Sequence, residues 1–165
     1  MGLTRLFKHI FYPGWWSRRL FPNASMVRIE AAIAESELHH HGEICFAVET
    51  NLDLLPLLRG QTPRQRALEV FAAQGVWDTE ANNGVLLYVV LSDREVEIVA
   101  DRGLARRVPS QVWEECCREM EALFAKGGYE AGALRGIELV GGQLRTHYPR
   151  QGGDVNELPN RPLRL

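Results

Sequence analysis

The run Val85-Leu86-Leu87-Tyr88-Val89-Val90-Leu91 constrains this chain more than any other segment. It is short, continuously apolar and bounded by turn-forming residues, which is the signature of a strand covered on both faces. Ser92-Asp93-Arg94 follows as a tight turn. Glu95-Val96-Glu97-Ile98-Val99-Ala100 then places Val96, Ile98 and Ala100 between acidic neighbours, the period of a strand with one wet face. A hairpin folded at Asp93 carries its polar outer ends, Asn82-Asn83 and Asp101, to the same end of a sheet. That end is where a site is to be sought.

Glu43 to Glu49 reads as an interior strand, with Ile44, Phe46 and Val48 on one face and Cys45 and Ala47 on the other. Ser25 is expected to cap a helix running to about Leu38, with Met26, Ile29, Ala32 and Ile33 facing the core. His39-His40-His41-Gly42 ends it. Adjacent helical side chains point about 100° apart, so these histidines do not converge on one ion and are expected at a solvated helix end. Thr62, Pro63 and Gln65 form a strong helix start, with Leu68, Phe71 and Ala72 on the expected buried face. Pro109 opens a helix to about Lys126 carrying Trp113, Cys116 and Met120 inward. A last helix runs from Tyr129 to about His147 with Ala133, Ile137, Val140 and Leu144 inward, and Gly132 and Gly136 permit close approach of a neighbour. Between the first strand and the Thr62 helix, five leucines (Leu52, Leu54, Leu55, Leu57, Leu58) either tuck under a neighbouring element or form a contact surface.

The 165 residues allow one domain with extensions: a basic amphipathic arm over 1–22, an α/β domain over 23–148 and a tail over 149–165 expected to be disordered. In the arm, Leu3, Leu6, Phe7, Ile10 and Phe11 make an apolar helical stripe, followed by Trp15 and Trp16 interleaved with Arg18 and Arg19. Such an arm suits an interfacial membrane anchor, or packs on its own domain or a second subunit. A formal net charge of −2 gives no footprint for nucleic acid. The three cysteines, Cys45, Cys116 and Cys117, lack paired spacing and fit a reducing compartment. No transmembrane helix or signal peptide is expected, so the expected setting is the cytoplasm, with peripheral contact at the inner membrane.

Asp78, Glu80, Asn82, Asn83 and Asp101 are the polar cluster around the hairpin end. Their carboxylates and carboxamides are hard oxygen ligands suited to Ca²⁺, or to Mg²⁺ with retained waters. Each also has an ordinary use in capping or turning the chain. No nucleophile elbow, phosphate-binding glycine loop or zinc-protease helix is present.

Asp78-Thr79-Glu80-Ala81-Asn82-Asn83-Gly84, then Asp93-Arg94, Val96-Glu97-Ile98 and Asp101-Arg102-Gly103-Leu104, resembles the TPM domain. Gly42-Glu43-Ile44 and Phe46-Ala47-Val48-Glu49 match that domain's first strand, and the resemblance spans about residues 23–148. It implies a three-layer α/β/α sandwich with a mixed sheet of about four strands and helices on both faces. Three strands are explicit, at 43–49, 84–91 and 95–101; for the fourth, residues 103–108 are the unclaimed candidate. It also implies divalent-cation binding at the hairpin end, with Asp78 and Asp101 the best carry-overs, then Asn83 and Glu80. The expectation is a non-enzymatic module acting through protein or membrane-surface contacts, through residues 1–22, in maintaining a membrane-associated complex. Two alternatives stand beside it. One is a metal-dependent acid phosphatase on phosphomonoesters, as described for a plastid member, with Arg102 steadying phosphate; the other is a homo-oligomeric structural protein.

Overall fold

A computed structural model describes residues 3–150 and 156–165. The elements begin with helices α1 (Leu3–Phe11), α2 (Trp16–Leu20) and α3 (Asn23–Glu37), then strand β1 (Ile44–Glu49). Helices α4 (Leu54–Leu58) and α5 (Pro63–Ala73) lead to β2 (Val85–Val90) and β3 (Glu95–Ala100). Helices α6 (Arg102–Ala105), α7 (Ser110–Ala125) and α8 (Tyr129–His147) follow, and β4 (Leu163–Arg164) closes the series.

The sheet order is β3-β2-β1-β4. β1 runs parallel to β2 and β4, while β2 and β3 form the antiparallel hairpin. Alternation along each strand sends its side chains into two separate cores. Ile44, Phe46, Val48, Val85, Leu87 and Val89 pack under α3, α7 and α8. Cys45, Ala47, Leu86, Tyr88 and Val90 pack under α4 and α5. The result is the expected three-layer sandwich. The close helix approach is also present: a Cβ at Gly132 would lie 2.4 Å from the Phe124 ring, and one at Gly136 2.4 Å from Met120 Sδ.

The outer edge of β3 is closed by charge. Val96 N–H donates to Glu121 Oε1 at 3.0 Å, and Ile98 C=O accepts from Arg64 Nη1 at 2.5 Å. These bonds occupy groups that would otherwise template pairing with another chain.

The structure corrects several expectations. The fourth strand is not at 103–108, where Asp101 starts the short helix α6. It comes from the tail, whose described part is ordered rather than disordered: Ala47 pairs with Leu163, Val48 with Arg164, and Leu165 N–H donates to Val48 C=O. Arg164 is held by Asn23 Oδ1 and the Phe21 carbonyl, and Leu158 and Leu163 pack on the second core. Residues 151–155 of the expected disordered tail lie outside the described residues. Pro22, not Ser25, precedes α3, and Ser25 is buried inside the helix with its hydroxyl donating to Glu130 at 2.5 Å. Along α5 the capping box forms as expected, but Ala67 and Val70 are buried while Leu68 faces water. His40 is buried, with Ser36 Oγ 2.9 Å from its Nε2, whereas His39 stays at the surface beside Glu35.

The arm packs on its own domain: Phe21 is buried in the first core and Leu6 rests on the second, while the docking of α1 is carried by its polar side. Arg5 donates to both Asp93 oxygens and to the Gln61 carbonyl. The buried His9 accepts the Leu52 N–H at Nδ1 (3.0 Å), which leaves its Nε2 to donate to Asp93 Oδ2 at 3.1 Å. Asn51 Nδ2 reaches the Tyr12 carbonyl at 2.9 Å. Burial pushes the Asp93 carboxyl up, but the hydrogen bonds from Arg5 and His9 outweigh it and hold the group below its ordinary value. A depressed folded-state value means that the stabilisation from this contact is complete above the ordinary 3.8 and is lost as pH falls through the folded value. Urea unfolding of the wild type and of Arg5→Ala should therefore differ at neutral pH and converge in acid; a difference that survives well below the ordinary carboxylate range would contradict the assignment.

Candidate functional site

Both ends of the β1-β2-β3 sheet carry polar residues, and the two ends are finished differently. Asn83 and Asp101 flank the hairpin at the amino end of the parallel strands. Asp101 N–H donates to the Gly84 carbonyl at 2.8 Å, continuing the register that pairs Val85 with Ala100. Asp101 is 3% exposed and caps α6, its Oδ1 accepting the Arg102 N–H at 2.6 Å. Its Oδ2 is buried and has no hydrogen-bond partner among the described residues. Asn83 is fully buried; its Nδ2 donates to the His41 carbonyl at 2.8 Å, and its Oδ1 is likewise buried with no partner among the described residues. Asn82 adopts a left-handed backbone (φ 52°), and its carbonyl accepts the Gly103 N–H at 3.0 Å. Around Gly103 the backbone oxygens crowd together: a Cβ there would lie 2.5 Å from Asn82 O and 2.8 Å from Ala81 O.

The structure thus brings Asn83, Asp101 and the Asn82 backbone to one corner, as expected from the hairpin. Asp78 and Glu80 stand apart, exposed on the loop before it, where Asp78 N–H closes a turn on the Gly75 carbonyl. The Glu80 N–H is taken by the carboxylate of Glu157 at 3.0 Å. Among the described residues no group of three or more His, Cys, Asp or Glu side chains is placed to hold a metal. The oxygens at this corner belong to one carboxylate, one carboxamide and main-chain carbonyls.

Three neighbours escaped the sequence reading. Arg106 and Arg107 join Arg102, Asn82 and Tyr148 around an open cleft of about 620 Å³ beside this corner. Arg107 stacks on the Tyr148 ring at 4.7 Å and donates to the His147 carbonyl. The third is Glu43, a buried carboxylate that accepts the Glu157 and Leu158 N–H groups and carries the tail across the sheet end. No local pattern marks Glu43, because its partners are more than a hundred residues away.

At the carboxyl end, where open α/β sheets ordinarily place ligands, the arm fills the space. His9 sits against Leu52, Ser92 and Asp93, and Thr50 Oγ1 approaches the Gly14 carbonyl. Glu49 ends β1 as a buried carboxylate, but Arg66 holds both its oxygens and the Tyr88 hydroxyl donates to it at 2.5 Å. It is a satisfied structural group. Burial pushes the Cys45 and Cys117 thiols up to about 12, so neither is a thiolate near neutrality.

The model of the TPM domain family matches residues 17–143. Several solved structures share the fold. The BA42 protein of the psychrophilic bacterium Bizionia argentinensis is 27% identical with a TM-score of 0.76, covering 86% of this chain and 93% of its own. The N-terminal domain of a P. gingivalis protein, 21% identical, superposes with a TM-score of 0.62 over 81% of this chain and 83% of its own. No curated protein matches the chain.

The Asn-Asn-Gly corner lies inside the matched segment and tolerates no side chain at its glycine. A Cβ at Gly84 would lie 2.0 Å from the Val76 carbonyl oxygen, a main-chain atom that cannot swing aside. Gly84→Ala should therefore destabilise the protein by about 1–3 kcal/mol or more, read as a lower urea midpoint; an unchanged midpoint would mean that the corner is looser than described.

Proposed function

The chain belongs to the TPM domain family, and from that premise we propose a non-enzymatic module that binds a divalent cation at the amino end of its sheet. It acts through protein or membrane-surface contacts in maintaining a membrane-associated complex. The observation that carries the cation reading is the Asp101 Oδ2 oxygen, buried and without a partner among the described residues. A carboxylate oxygen in that state is costly unless something positive or a donor meets it.

The surroundings suit a hard cation. Asn83 Oδ1 is the second orphaned oxygen at this sheet end, and the Ala81 and Asn82 carbonyls crowd the space at Gly103. All four are oxygen donors, the set that Ca²⁺ accepts and that Mg²⁺ accepts with retained waters. Asp101 would provide the charge, and Asn83 with the carbonyls would supplement it. Asp78 and Glu80, exposed on the approach, would add long-range attraction. When bound, the ion would tie the 78–84 loop to the 101–103 corner. With a single buried carboxylate, affinity belongs in the weak range, with Kd of about 10⁻⁴–10⁻³ M.

The arginine cleft gives one specific reason to keep a second reading, a metal-dependent phosphatase acting on phosphomonoesters. Arg102, Arg106 and Arg107 around an open cleft next to Asp101 could hold a phosphate dianion. The Arg102 side chain is mostly exposed, and its guanidinium comes no closer than 4.0 Å to Asp101, as a solvated surface arginine does. The contact-module reading therefore stands first.

Calorimetric titration with Ca²⁺ and with Mg²⁺ separates these readings. Saturable binding to the wild type should disappear in Asp101→Ala, with the circular dichroism spectrum retained and about 1 kcal/mol of stability lost with the helix cap. Turnover of p-nitrophenyl phosphate in Mg²⁺ should not be detected. Metal-dependent turnover lost in both Asp101→Ala and Arg106→Ala would overturn the non-enzymatic reading, and absence of any saturable ion binding would overturn the cation site.

A further inference from the structure

The helix α1 is amphipathic, yet it docks on the domain with the wrong side for burial. At 100° per residue, Arg5 and His9 each lie about 200° from Phe7. Arg5 and His9 face inward and are tied to Asp93, Gln61 and Leu52. Phe7, Ile10 and Phe11 face water, each more than half exposed, with the Phe7 and Phe11 rings stacked 5.8 Å apart. The polar face is consumed by the fold and Leu6 rests on the second core, while the aromatic part of the apolar face is left for something else.

Helix α4 repeats the arrangement. It lies against α1 and buries Leu57 completely, while Leu54, Leu55 and Leu58 stay exposed. The leucine-rich loop is therefore both things the sequence allowed: Leu52 and Leu57 tuck in, and the other three form a surface. Six large apolar side chains on two adjoining helices, with Trp15 exposed just beyond α1, make a patch of the kind that marks a contact site.

We propose that α1 and α4 together form a docking surface for an anionic lipid bilayer. This inference rests on the contact-module reading, to which it gives a partner, and is independent of the cation site at the other sheet end. Charge selects the occupant. Residues 1–22 contain four bases and no acid, although the protein as a whole is net acidic. Arg18 and Arg19 are exposed, Arg19 lies 5.8 Å over the Trp15 ring, and Arg59 is exposed at the end of α4. Asp53, at the start of α4, and Glu69, whose carboxylate accepts from Gln61, are acidic exceptions. Apolar side chains, an exposed tryptophan and arginines around them match the interfacial zone of a membrane with anionic headgroups. A second copy meeting the same patch about a two-fold axis would bring the arginine-rich arms together without an acidic partner in residues 1–22. The bilayer is the better electrostatic match.

The test is flotation of the full chain with vesicles of pure phosphatidylcholine and of equal parts phosphatidylcholine and phosphatidylglycerol, in EDTA so that the cation site plays no part. The wild type should float with the anionic vesicles only, and raised salt should release it. Phe11→Asp and Leu55→Asp should each weaken partitioning by about ten-fold or more, with unchanged circular dichroism. Loss in Leu55→Asp is the discriminating result, because an arm that peeled away and bound alone would not depend on α4. Failure to float on anionic vesicles would overturn the proposal, as would floating that ignores Leu55→Asp. A dimer in sedimentation equilibrium that Phe11→Asp disperses, without vesicle binding, would assign the patch to a second copy. None of these outcomes alters the ion titration, so the two proposals fail separately.

Discussion

Strand β2 is buried on both faces and hydrogen-bonded on both edges, and that position sets the terms for the rest of the molecule. A strand so placed excludes unpaired polar groups, so its sequence is apolar throughout except for Tyr88, whose hydroxyl is given to Glu49. The Glu49 charge is in turn held by Arg66 of α5, which fastens the second helical layer to the sheet. Its alternating side chains feed two cores, one under α3, α7 and α8 and one under α4 and α5. Polar chemistry is thereby pushed to the two ends of the sheet.

Those ends have opposite fates. At the carboxyl end, Arg5 and His9 of α1 converge on Asp93 and close the space. At the amino end, Asp101 and Asn83 keep one buried oxygen each without a partner among the described residues. Closing one end with a helix's polar side has a consequence for the surface, since the aromatic side of α1 then has to face outward. The patch formed with α4 is thus a product of how the sheet end is sealed.

The hairpin, the interior character of β1 and the long helices α7 and α8 were legible because each carries its own periodicity. Asp101 and Asn83 were legible for a related reason: the hairpin register fixes their shared end before any tertiary contact is known. Asp78 and Glu80 were not separable from them by sequence, since a loop gives no register. Strand β4 was hidden, because two residues flanked by Pro162 have no period and gain their strand character only from β1. Leu68 misled because hydrophobicity ranks it above Ala67, whereas the helix turns Ala67 and Val70 inward and leaves Leu68 toward water. The inverted docking of α1 could not be read at all, since it depends on Asp93 lying 88 residues away.

The central claim, that one sheet end is sealed and the other is open to a cation, is tested most directly by amide NMR of the full chain through a Ca²⁺ titration. Saturable shifts confined to residues 78–84 and 101–104, with residues 49–52 and 91–94 unmoved, are the predicted result. Shifts concentrated at the Asp93 end, around His9 and Leu52, would contradict it and place the ion where the arm now sits.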